Sequence, residues 1–179
     1  MELSVDSAKS RVRVHTFAEG LFARLAHDIE LVFTKVEGTA SREGEAGQAK
    51  LTVRLDSAEV AGVLKDGRVD ASVLSASDRR DILEKMRREV FHAGEDATVT
   101  LEATLDGKVA KVKVVPPRGK TVEATTRPEL REDGDALRIS GSFDVSLSAI
   151  GSDVVKGPMN AFRVKDRVVV RFELVCQPA

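Results

Sequence analysis

Apolar and polar residues alternate with a period of two along most of this chain. Val12 and Val14 alternate with Arg11 and Arg13, and Leu51, Val53 and Leu55 alternate with Thr52 and Arg54. Val99, Leu101 and Ala103 follow the same rhythm among Thr98, Thr100 and Glu102. Toward the end, Leu137, Ile139, Phe143, Val145 and Leu147 share one parity, as do Val168, Val170, Phe172 and Leu174. Successive side chains of a strand point to opposite faces, so this spacing predicts strands with one buried and one wet face. Asp106-Gly107 offers the residues of a two-residue type I′ turn, which sets Leu105 opposite Lys108, Leu101 opposite Val112 and Val99 opposite Val114. Asp66-Gly67 and Asp133-Gly134 offer similar turns, the second placing Leu130 against Leu137.

One segment leaves the strand rhythm. Ile82, Leu83, Met86 and Val90 fall on a single helical stripe, and Ser75 or Ser77 can cap its start beside Asp78. This predicts a helix over about 78–89. A short helical turn near 19–26 follows from Leu21, Phe22 and Leu25 sharing a side, although Gly20 opposes it. Turn clusters such as Gly44-Glu45-Ala46-Gly47 and Pro116-Pro117-Arg118-Gly119 separate the strands, with no long linker or repeat. The expectation is one all-β domain over 1–179, an antiparallel β-barrel of about eight or more strands carrying one main α-helix.

Composition narrows the function. At 179 residues the chain can bury one substantial core. Its 28 Lys and Arg against 29 Asp and Glu leave a net charge of -1, so no overall field gathers polyanions. Trp and Tyr are absent, which removes the usual stacking platforms for single-stranded nucleic acid. No nucleic acid partner is expected. Cys176 is the sole cysteine and has no partner for an internal disulfide. The opening Met1-Glu2-Leu3-Ser4-Val5-Asp6 has neither a basic nor an apolar leader region, and charges interrupt every later apolar stretch. The sequence as it stands reads as cytoplasmic, or periplasmic if a leader was removed, without stable membrane insertion.

Four segments resemble a known family. Asp6-Ser7-Ala8-Lys9-Ser10-Arg11-Val12 resembles the opening Asp-x-x-x-Ser-x-Val strand of the YceI-like family. Arg80-Asp81-Ile82-Leu83, with the trailing Phe91-His92-Ala93, resembles its Arg-Asp-x-x-Leu helix. Phe143 to Gly151 is similar to the penultimate strand and its corner, and Asp166-Arg167-Val168-Val169-Val170 stands in place of the closing Asp-x-Val-x-Val. Their collinearity spans almost the whole chain. The resemblance implies a lipocalin-like barrel around an elongated apolar cavity that binds polyisoprenoid chains or other long amphiphiles, without enzymatic activity or cofactor. It also makes a homodimer an expectation. The family's Leu-Thr-x-His-Gly-Val-Thr segment is replaced here by Lys113 to Val122, so contacts from that segment do not carry over.

The candidate lumen residues are Phe22, Leu25, Phe33, Leu83, Met86, Phe91, Phe143, Leu147, Ile150 and Phe162, with His27 placed to hydrogen-bond a ligand headgroup. Arg24 and Arg80 are further candidates to face an anionic headgroup. A chain hiding about ten carbons gains roughly 8 kcal/mol at ~0.8 kcal/mol per methylene, before association costs. Two other readings stand beside the carrier: an interaction or stress-associated scaffold with a filled core, and a metal-assisted hydrolase at His27 and Asp28. His15, His27 and His92 share no metal-binding spacing, and no Gly-x-Ser-x-Gly elbow is present, so no catalytic residue and no metal ligand is assigned.

Overall fold

The computed structural model describes residues 1–21 and 26–179. Its first strand run consists of β1 (Glu2–Val5) and β2 (Arg11–Thr16), and β3 (Ala18–Glu19) follows. The second run is β4 (Asp28–Phe33) with β5 (Val36–Glu43). The third is β6 (Ala46–Arg54) with β7 (Ala58–Lys65), trailed by β8 (Arg68–Asp70). A helix, α1 (Ala76–Lys85), separates these from β9 (Thr98–Asp106) and β10 (Val109–Val115). After them come β11 (Val122–Thr126) with β12 (Glu129–Asp133), then β13 (Ala136–Ser146), a helical turn α2 (Leu147–Ile150), β14 (Arg163–Val164) and β15 (Arg167–Pro178).

Each run pairs antiparallel with the next. The last strand closes the circuit. β15 pairs with β13 along one side, and with β2 and then β1 along the other. The result is an up-and-down antiparallel barrel, as the period-two pattern predicts, and closure leaves few free strand edges.

Pairing one long strand with two short ones leaves a gap at residues 6–10, where the first run turns aside. Ser10 fills it. Its fully buried hydroxyl accepts the Val175 amide at 3.0 Å, while the Asp6 amide donates to the Val175 carbonyl at 2.8 Å. The Asp6 carboxylate in turn accepts the Ala8 amide at 3.1 Å. The Asp-x-x-x-Ser spacing is therefore a device that satisfies the β15 backbone across the interruption.

Two hairpin registers differ from the sequence expectation. Asp106 pairs with Val109, so the loop is Gly107-Lys108, and Leu101 faces Val114 where Val112 was expected. Asp106 is also held against Ala46 on its other side, which keeps it extended and moves the turn one residue on. Only the first loop residue, Gly107 with φ 60°, then needs a left-handed conformation. Leu130 likewise faces Ile139 instead of Leu137. Both registers slip by two, so every side chain keeps its face. Asp66-Gly67 does form its expected loop, with φ 51° and 74° between paired Lys65 and Arg68.

The helix starts earlier than expected. Ser75 caps it reciprocally with Asp78, and beyond Lys85 the chain continues as a π turn through Met86–Val90. Arg79 clamps it to the barrel, donating to the Val60, Ala71 and Leu74 carbonyls. In the stretch expected to form a helical turn near 19–26, Ala18–Glu19 is instead strand, paired with Arg163–Val164, and the remainder lies largely outside the described residues.

Candidate functional site

Inward-facing residues of the strands surround a cavity of about 550 Å³. Val12 and Val14 of β2, Ile29, Leu31 and Phe33 of β4, and Val53 of β6 form one wall. Val99, Leu101, Val114, Phe143, Val145, Val168 and Val170 form the other. The helix supplies Ile82 and Met86, and the turn after β13 supplies Leu147 and Ile150. The cavity lies in the range typical of small-molecule sites, about 300–1,000 Å³. This end of the barrel is hollow, so a core closed by side chains does not describe it.

Polar groups gather at the mouth. His27, Asp78, Asp81, Lys85 and the segment Lys156-Gly157-Pro158 all border it. Asp78 accepts the Ser75 amide at 2.9 Å, and hydrogen bonding at Ser75, with a smaller contribution from His27, holds its carboxyl below the usual range. Lys85 donates to the Lys156 carbonyl at 2.9 Å and lies 3.6 Å from Glu89, tying the helix to the mouth loop. Phe162 rests on Gly157, where an added Cβ would come within 2.3 Å of the ring. Gly157 also donates its amide to the Phe162 carbonyl at 2.9 Å.

Of the residues singled out by sequence, His27, Phe33, Met86, Phe91, Phe143, Leu147, Ile150 and Phe162 come together around this one cavity. Leu83 does not border it. It faces the remaining core, half-buried, because the stripe is broad and Ile82 takes the luminal position. Phe22, Arg24 and Leu25 lie outside the described residues. Arg80 is exposed, and the anchoring contacts belong to its neighbour Arg79.

Sequence reasoning missed the valines that form most of the wall, and the mouth residues Asp78, Asp81, Lys85 and Lys156. The valines were findable from strand parity alone. The mouth residues were not, since they converge from a helix and a loop far apart in the chain.

The histidines lie apart. His15 is 3.3 Å from Glu30 on the outer face, and His92 is 3.1 Å from the Gly151 carbonyl. Asp28, paired in sequence with His27, accepts the Ala18 amide at 2.9 Å. Among the described residues, no three His, Cys, Asp or Glu side chains are grouped to hold a metal ion. Nor, among them, is any helix long and apolar enough to cross a membrane. Cys176 is fully buried in β15, where desolvation pushes its thiol pKa up, away from nucleophilic use.

No family model and no curated protein matches the chain. Among solved structures, the crystal structure of Burkholderia cenocepacia BcnA is similar, with a TM-score of 0.64 and 18% identity. The match covers 96% of this chain and 98% of that one, so the two share their fold over essentially their full lengths.

Proposed function

We propose that this barrel is a YceI-like carrier that holds the apolar chain of a long isoprenoid or acyl amphiphile in its lumen, without transforming it and without a cofactor. The observation that carries the reading is the cavity of about 550 Å³, walled by aliphatic and Phe side chains and bordered at its mouth by polar groups. A chain enters tail first, and its polar end stays among His27, Asp78, Asp81, Lys85 and Lys156. These groups carry both signs of charge, which suits an uncharged or zwitterionic headgroup. The collinear family motifs and the fold shared with BcnA support the same reading.

The energetics are adequate. Burying about fifteen methylenes yields roughly 12 kcal/mol, and a low-end association cost of ~4 kcal/mol leaves ~8 kcal/mol, which is micromolar binding. Apolar side chains also stand in solvent beside the mouth: Val73, which lines it, Val154 next to lining Val155, and Met159 next to lining Pro158. They offer an apolar approach for a chain leaving another apolar phase.

Native mass spectrometry of the purified protein, followed by solvent extraction, tests the proposal. The expected result is a bound mass that solvent releases as a long-chain molecule, together with uptake of a fluorescent fatty alcohol by the stripped protein. A protein that carries no such mass and takes up no probe refutes it.

A further inference from the structure

The interior does not end at the floor of the large cavity. A second apolar pocket of about 100 Å³ lies beyond it, toward the opposite end of the barrel. Along β6, β9, β10, β13 and β15 the inward ladder runs from one chamber into the other. On β13, Leu137 and Ile139 belong to the small chamber, and Val145 to the large one. On β15, Leu174 and Phe172 belong to the small chamber, and Val170 and Val168 to the large one. Among the described residues, Leu101 and Phe143 alone border both.

The partition is braced. Phe172 pairs across the strands with Gly141, and its ring occupies the space a Cβ there would need, with Cζ 2.6 Å from that position. Seated over the glycine, the Phe172 ring lies 6.2 Å from that of Phe143, tilted by 41°. The Thr126 hydroxyl oxygen would lie 3.1 Å from the same Cβ, and Gly141 sits mid-strand without a positive φ, so packing and not backbone conformation keeps a side chain out of this position. Phe143 and Phe172 are both at most 9% exposed.

We infer that Phe143, held by Phe172 over Gly141, is the residue that sets the longest chain the lumen accepts, by closing off a second chamber of the same lining. This rests on the carrier reading and adds a specificity-determining position to it. Taking a methylene as about the size of a water, ~30 Å³, the second chamber holds roughly three more carbons. Removing the ring itself adds further room.

The test compares wild type with Phe143→Ala, and with the less disruptive Phe143→Leu, for binding of straight-chain primary alcohols of increasing length. The affinity of wild type levels off at a length beyond which added carbons gain nothing. In the variants that limit moves out by at least about three carbons. The longest alcohol then binds roughly sixty-fold tighter than to wild type, at about fourfold per buried methylene. Adding Ala103→Leu, which fills the small chamber, restores the shorter limit. A length limit unchanged in folded Phe143 variants overturns the inference. If no alcohol binds either protein, the carrier reading fails instead, and xenon-pressurised crystals decide the partition. Xenon is expected at two separated positions in wild type and along one continuous channel in Phe143→Ala, and separated sites in both overturn it.

Discussion

Replacing Val145 by Phe separates a hollow barrel from a filled one and a used lumen from an idle one. Val145 is 6% exposed, points inward from β13 opposite Val168, and borders only the large cavity. The substitution adds about four carbons. In a well-packed core, such overpacking costs ~1–3 kcal/mol. Here the ring swings into vacant space, so the stability measured by urea denaturation stays within about 1 kcal/mol of wild type. Binding responds in the opposite sense. If the ring displaces about four carbons of the ligand, ~3 kcal/mol is lost at ~0.8 kcal/mol each, and affinity for a long-chain alcohol falls on the order of a hundredfold. The two readouts check each other. A drop in stability of several kcal/mol would show that no room existed. Unchanged stability with unchanged affinity would show room that the ligand does not use, and either result refutes the reasoning.

Two further perturbations test the scaffold. Ser10→Ala leaves the buried Val175 amide without its acceptor, which costs ~1–3 kcal/mol; urea denaturation is expected to show it, and a neutral change would mean that the strand gap closes another way. Asp166 accepts the Ser146 hydroxyl at 2.6 Å and the Ser148 amide at 2.7 Å, and these bonds depress its pKa below 3.8. Its stabilising contribution is therefore complete above the unfolded carboxyl pKa of about 4 and fades as pH falls through the lower folded value. Asp166→Asn is expected to flatten that acid limb in denaturation measured from pH 5 downward, and an unaltered limb would remove Asp166 from the account.

Much of the fold was legible because a strand announces its buried face by parity, and parity survives errors of register. The hairpin at Asp106 shows both sides of this. The apolar face was right while the pairing was off by two, since the second neighbour of Asp106, Ala46, lies sixty residues away and leaves no local trace. Two polar residues of the family-like motifs mark backbone junctions. Ser10 completes the β15 ladder, and Asp166 pins the corner after β13. Neither borders the cavity, whereas Ile82, Phe91, Phe143 and Val145 of the other family-like segments do, so motif likeness marked both junctions of the architecture and part of the cavity wall.

What the sequence encodes about the hollow lies in side-chain size. Valine favours strand conformation yet reaches only a short way from the backbone. Val12, Val14, Val53, Val99, Val114, Val145, Val168 and Val170 ring the large cavity and leave its axis unfilled. The chain has seven Phe and no Trp or Tyr, too few large rings to plug a barrel of this length. Two of the seven, Phe143 and Phe172, stand together at the partition. Past them the wall turns to Ala40, Ala49, Ala103 and Ala110 with Gly47. Leu3, Leu105, Leu130, Leu137, Ile139 and Leu174 reach into the space those small residues leave, and the chamber among them is only about 100 Å³. Small and large side chains thus alternate across this end, as they do where the interior of a small barrel is filled by its own residues. A chain that passes Phe143 meets only a short apolar pocket of about 100 Å³, which is why the partition can set length by a few carbons and no more.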